Sequence, residues 1–220
     1  MRIKHAIFDF DGTLFDTMGV WDTVGERYLR SLGIEPRPGL REAVRTMSLE
    51  GAAHYFREEY GVTQSAGDII EGINAVVEAF YRNEAQPKPG AAGFLEGLRE
   101  MGIDMCIATA TDRHLIAAAL ERCHMAGYFK GILTDRDAGC GKDRPDIYRM
   151  AMGLLGGSRE DTVVFEDALH AARTAAADGF ITIGVFDKSE PRQAELEKTC
   201  RCVIAGFDDI PECIKAAAAI

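Results

Sequence analysis

Six short apolar runs punctuate the chain, at Ala6 to Phe10, Asp104 to Thr109, Gly131 to Thr134, Thr162 to Phe165, Ile181 to Val185 and Cys202 to Ile204. Most are apolar on both faces, the pattern of strands in a parallel sheet that helices cover on each side. Segments with helical periodicity lie between them, including Ala91 to Met101, Arg113 to Cys123 and Asp146 to Leu155. Each is long enough for a crossover between parallel strands. Strand, loop and helix in repeated order predict an α/β fold built on a doubly wound parallel sheet.

One stretch breaks the alternation. From about Asp16 to Gln86 the pattern is helical, punctuated at Gly33, Pro36 to Gly39, Gly61 and Gly67, and the α/β grammar resumes after the stiff turn Pro87-Lys88-Pro89-Gly90. The expected organisation is therefore a core of residues 1–15 and 88–220 with an all-helical insertion at 16–87, entered and left through a two-strand hinge.

Composition narrows the function classes. No apolar run approaches the roughly 20 residues of a membrane helix, so no membrane partner is expected. The segment behind Met1-Arg2-Ile3-Lys4-His5 meets two aspartates within a few residues and reads as a buried strand, not a signal. A formal charge of −10 without a Lys/Arg cluster argues against nucleic acid. The six cysteines show no framework spacing, and Cys200-Arg201-Cys202 is too tight for a CxxC site. A cytoplasmic protein with reduced thiols is expected, and monomer and weak dimer both remain open.

Candidate chemistry sits at the ends of four of the runs. Asp9 and Asp11 stand two residues apart and project to the same side of an extended chain, and Gly12-Thr13 then marks a turn. In open parallel sheets ligands bind at such C-terminal strand ends. Two carboxylates there can bind a hard cation, with one as nucleophile and the other handling protons. A bare pair also reads as an acidic turn capping the next helix. Thr109, with Ala110 and the turn behind it, can donate to phosphate oxygens, although a lone Thr at a strand end reads equally as β-propensity or an N-cap. Lys142 precedes a helix that starts near Pro145 or Asp146 and could offset charge between two anions. Alone it is a solvated loop lysine. Glu166-Asp167 adds a second acidic pair that could complete a Mg²⁺ site with Asp9, or form an exposed acidic loop.

Together, Phe8-Asp9-Phe10-Asp11-Gly12-Thr13, Thr109, Lys142 and Glu166-Asp167 resemble, in order and spacing, the four signatures of the haloacid dehalogenase superfamily, in the branch whose helical cap follows the first motif. The resemblance spans essentially the whole chain. It implies a Rossmann-like core, with Asp9 attacking phosphorus and Asp11 protonating the leaving group before activating the water that cleaves an aspartyl-phosphate. It further implies that Thr109, Ala110 and Lys142 hold the phosphoryl group. Mg²⁺ would be bound by Asp9, the Asp11 backbone carbonyl and Asp167, with Glu166 as ligand or support, and the cap would close over the site to set specificity. Three positions depart from the usual pattern: Asp143 follows Lys142, where it or Arg144 would compete for local charge pairing, and Ala168 and Ala171 replace the Ser and Gly of the fourth motif.

Among activities on this scaffold, dehalogenation is disfavoured by Asp11, Glu166 and Asp167. Phosphonatase chemistry is disfavoured because 16–86 contains no lysine. A β-phosphoglucomutase-like reaction is the nearest competitor. That branch carries a His where this chain reads Met18-Gly19-Val20-Trp21 and holds a second phosphate with cap cations, for which Val44 to Glu50 offers Arg45. Thr13 is more typical of phosphatases. The expected substrate is thus a small phosphorylated metabolite, a sugar phosphate or similar phosphomonoester, and a non-catalytic phosphoryl-binding or interaction module is the alternative of another class. Trp21, Tyr28, Tyr55, Phe56 and Tyr60 read as helical core, and His5, His54, His114, His124 and His170 lack metal spacing.

Overall fold

β1 (His5–Phe8) forms the middle of a six-stranded sheet with β2 (Asp104–Thr109), β3 (Phe129–Thr134), β4 (Thr162–Glu166), β5 (Ile181–Val185) and β6 (Cys202–Ile204). The order is β3-β2-β1-β4-β5-β6, and every pairing is parallel. The computed structural model describes residues 3–44 and 47–208. The chain leaves β1 for β2 and β3 on one side, then crosses to β4, β5 and β6 on the other. This is the doubly wound α/β arrangement expected from the two-faced apolar runs, and its switch point lies between β1 and β4.

Register at the switch point positions the chemistry. Phe8 pairs with Ile107 on one side and Phe165 on the other, and the Asp9 N–H donates to Phe165 O at 3.0 Å. The residues just beyond β1, β2 and β4 therefore emerge together at one edge. Beneath them Phe8 stacks on Phe165 at 4.5 Å and meets Phe94 edge-on at 5.9 Å. Each fully buried ring contributes roughly 2–3 kcal/mol of transfer free energy, so the floor of this edge is rigid.

The helices of this unit are α5 (Ala91–Glu100), α6 (Arg113–Arg122), α7 (Asp135–Ala138), α8 (Asp146–Leu155), α9 (Leu169–Ala177) and α10 (Gln193–Thr199). α8 shows why a sequence period becomes a packed face. Ile147, Tyr148, Ala151 and Leu155 are buried on one stripe against Ile7, Cys106 and Val164 of the sheet. On the other side of the switch point, Leu169 and Ala172 of α9 pack on Leu196 and Cys200.

By contact density the chain divides into two units, Met1–Asp16 with Ala85–Ile220, and Thr17–Glu84. The second holds α1 (Met18–Ser31), α2 (Leu40–Val44), α3 (Leu49–Tyr60) and α4 (Ala66–Asn83), around its own core of Tyr28, Leu29, Ala53, Phe56, Ile69 and Ile73. Ser65 and Asp68 close a reciprocal capping box at the start of α4, and Gly61 ends α3 in the left-handed conformation. Of the five aromatics read as helical core, Tyr28 and Phe56 are buried and Tyr55 and Tyr60 half-buried, whereas Trp21 is 49% exposed. Within the first unit, Asp16 N–H donates to Gln86 O at 3.0 Å and Lys88 N–H to Leu14 O at 2.8 Å, so the two connecting segments run as a short antiparallel pair. No helix of the described residues is long and apolar enough to cross a membrane.

Candidate active site

The first strand ends sooner than its apolar run. β1 stops at Phe8 because the Phe10 carbonyl turns away from the ladder and accepts from both Leu14 and Phe15 N–H groups. Gly12 sits at φ +80°, a left-handed conformation that costs a residue with a Cβ, and its N–H closes the turn on Phe15 O at 2.9 Å. The turn carries Thr13 back inward, where its hydroxyl donates to the Asp167 carboxylate at 2.9 Å. The first and fourth motifs are joined by a bond between residues 154 positions apart.

Beyond β2, the Thr111 hydroxyl donates to the Asp11 carboxylate at 2.7 Å, while Thr111 N–H donates to the Thr109 hydroxyl at 3.1 Å. Thr109 is buried and Ala110 is exposed at the turn. Asp11 is thus oriented by the second motif.

Lys142 is the hub of the site. Its buried ammonium donates to the Asp9 carboxylate and, at 2.6 Å, to Glu166. Burial works against a charged lysine, but the two carboxylates outweigh it and hold the Lys142 pKa above the ordinary range. Glu166 receives a second bond, from the Tyr148 hydroxyl at 2.6 Å. Its carboxyl is pushed up to about 7, chiefly by burial and also by the Asp9 charge, against the lowering pull of Lys142. Burial, followed by the charges of Asp9 and Glu166, raises the Asp167 carboxyl well above its usual range.

Asp9, Glu166 and Asp167 each bring one carboxylate oxygen within 4.8 Å of the others, and all three are buried. Lys142 bridges Asp9 and Glu166, whereas the hydrogen bond on Asp167 comes from the neutral Thr13 hydroxyl. Three converging carboxyl groups share one bridging ammonium, and the raised Asp167 carboxyl marks the side where negative charge is crowded and where a hard divalent cation with oxygen ligands fits.

The structure therefore brings Asp9, Lys142, Glu166 and Asp167 together, with Asp11 and Thr109 linked through Thr111; Arg45 lies outside the described residues. Asp143 is exposed and Arg144 pairs with Asp146 at 3.1 Å. The expected competition at this loop is thus corrected: the partners of Lys142 are Asp9 and Glu166. Sequence reasoning missed Tyr148 and Thr111. Tyr148 sits on the buried stripe of α8, where periodicity signals core, and the useful clue is that a fully buried Tyr needs a partner for its hydroxyl. The histidines at 54, 114, 124 and 170 are exposed, and His5 is buried.

A family model described as a haloacid dehalogenase-like hydrolase matches residues 3–179. A probable pseudouridine-5'-phosphatase of Drosophila melanogaster is 28% identical over 216 residues, covering 94% of this chain and 91% of that protein. Hexitol phosphatase A of Escherichia coli is 27% identical over 202 residues, covering 90% of each. In fold, a crystal structure described as a putative beta-phosphoglucomutase from Thermotoga maritima matches with a TM-score of 0.84 at 21% identity, over 99% of this chain and 100% of that one.

Proposed function

The chain belongs to the haloacid dehalogenase-like hydrolases and is a phosphohydrolase, and from that premise we propose that it hydrolyses a small sugar phosphate or similar phosphomonoester, with Mg²⁺, through an aspartyl-phosphate on Asp9. The observation that carries the reading is the buried Lys142 ammonium shared between Asp9 and Glu166 beside Asp167. A carboxylate is a weak nucleophile towards an anion unless positive charge offsets the repulsion.

In this reading a carboxylate oxygen of Asp9 attacks phosphorus as the ester P–O bond breaks, and Asp11 gives its proton to the departing oxygen. Asp11 then takes a proton from water as that water attacks the aspartyl-phosphate, which frees phosphate and restores Asp9. The Thr111 hydroxyl fixes the Asp11 carboxylate for both transfers. Thr109 and Ala110 hold phosphoryl oxygens, and Lys142 spreads the charge of the transferring group. Mg²⁺, held by Asp9, Asp167 and the Asp11 carbonyl with Glu166 in support, would supply further charge neutralisation on phosphate oxygens.

The names of the relatives support a sugar-linked phosphate, one being a probable pseudouridine-5'-phosphatase and the other a hexitol phosphatase. Neither favours a mutase. The test is phosphate release from p-nitrophenyl phosphate and a panel of sugar, nucleoside and polyol phosphates, with Mg²⁺ or EDTA. Turnover that needs Mg²⁺ and disappears in Asp9→Asn is expected. No release across the panel would sink the enzyme reading, and interconversion of a hexose phosphate without phosphate release would replace it by a mutase.

A further inference from the structure

The fourth motif departs at Ala168, at the start of α9. Ala168 is the N-cap of α9 and has no side chain able to accept from the first turn. A helix N-terminus leaves backbone N–H groups without partners, and a Ser, Thr, Asp or Asn at the N-cap ordinarily satisfies one of them. In this chain a carboxylate 21 residues further on does so: Glu190 accepts from Leu169 N–H at 2.9 Å. Glu190 is 8% exposed, and its other oxygen accepts from the Arg192 backbone N–H at 2.9 Å and from Arg192 Nε at 3.2 Å. The loop that carries it is fixed in turn, since Gln193 Nε2 donates to Asp187 O at 2.8 Å and to Glu190 O at 3.0 Å. The packing of Leu169 on Leu196 brings the starts of α9 and α10 together, which lets a residue just ahead of α10 reach the end of β4.

We propose that Glu190 is a positioning residue for the cation site. It anchors the backbone of the Asp167-Ala168-Leu169 turn from outside the four motifs, by taking the first N–H of a helix start that Ala168 cannot cap. Asp167 is then held from two directions, its carboxylate by Thr13 and its backbone, two residues on, by Glu190. The inference rests on the magnesium site of the proposed function. It differs from a purely structural cap in one respect: loosening the turn spreads the carboxylate orientations of Asp167, so the cost falls on cation affinity as well as on stability.

The test titrates Mg²⁺ into the intact protein by calorimetry and records melting temperature in EDTA and phosphate release against Mg²⁺ concentration. Glu190→Ala is expected to weaken Mg²⁺ binding roughly tenfold, the scale on which removal of a ligand's supporting contact acts, with activity recovering at saturating Mg²⁺. Should Glu190→Ala not fold, Glu190→Gln keeps an acceptor for Leu169 but sets its amide donors against those of Arg192, and a smaller weakening of the same kind is expected. Adding Ala168→Ser orders the same turn through a different donor, the N–H of His170 or Ala171, and should return affinity to within about threefold of wild type. Unchanged Mg²⁺ affinity in both Glu190 variants overturns the proposal. So does an Ala168→Ser that restores melting temperature but not affinity. A wild-type protein that neither binds Mg²⁺ nor needs it for turnover overturns the proposed function along with it, whereas wild-type binding with unaffected variants overturns the positioning role alone.

Discussion

Replacing Lys142 by Met removes the ammonium that holds Asp9 and Glu166 together and leaves their carboxylates buried without it. Breaking a buried ion pair by deleting one partner costs about 3–5 kcal/mol. In a chain of 220 residues that is roughly 10 °C in melting temperature. The pH dependence makes the reasoning specific. The Glu166 carboxyl is raised in the folded protein from its ordinary 4.5 to about 7, mainly by burial, so the folded state binds this proton more tightly than the unfolded chain. The Glu166 contribution to folding stability accordingly falls as pH rises from 4.5 to about 7 and then levels off. At about 1.4 kcal/mol per pH unit, the window amounts to roughly 3 kcal/mol. The Lys142 pKa is raised, so its contribution is intact throughout this range and is lost only at alkaline pH. Without Lys142, Glu166 loses the positive charge that lowers its pKa, and the decline continues above pH 7. Thermal melts of both proteins in EDTA from pH 5 to 9 should show a small deficit at pH 5 that widens steadily to pH 9. A deficit independent of pH, or a Lys142→Met protein as stable as wild type at pH 8, would refute the charge-balance account.

Three further outcomes follow from individual contacts. Tyr148→Phe removes the 2.6 Å bond to Glu166 and should cost about 1–2 kcal/mol in urea denaturation, with a fall in kcat/KM; unchanged values in both would make that hydroxyl a bystander. Thr13→Val keeps the shape but deletes the donor to Asp167, and calorimetry should show Mg²⁺ affinity reduced severalfold with the far-UV circular dichroism intact. Asp187→Asn breaks the ion pair with Lys88, 3.0 Å long and nearly buried, and should lower the melting temperature by several degrees at pH 7. Burial opposes the Asp187 charge, but bonds from Ser189 and Lys88 prevail and hold its pKa below the usual carboxylate range. The stability it provides is present above its ordinary 3.8 and lost as pH falls below it, so acid titration of the variant should show a shallower loss there.

Strand positions were legible because the strands are short apolar runs, three of which meet a polar residue at their C-terminal end, at Asp9, Thr109 and Glu166. Boundaries shifted at strand ends: the run to Phe10 stops at Phe8, where the turn at Gly12 folds the backbone onto Phe10 O, and the run from Gly131 begins two residues earlier, at Phe129. The short helix α7 was also missed, although Thr134-Asp135-Arg136-Asp137 carries the spacing of the capping box that starts it. Contacts that tune the site were less accessible, since Thr13 to Asp167 and Glu190 to Leu169 join residues whose proximity depends on strand order and helix packing rather than on local pattern. The departures at Asp143 and Ala168 illustrate the consequence. Read locally, each is a defect in a motif loop. In the folded chain, Asp143 is exposed while Lys142 is claimed by two buried carboxylates, and Glu190, just ahead of α10, takes the first N–H of the helix that Ala168 cannot cap. On the proposed reading the site needs order at the first turn of α9 and an ammonium on Asp9, and in this chain both come from side chains distant in sequence, Glu190 and Lys142.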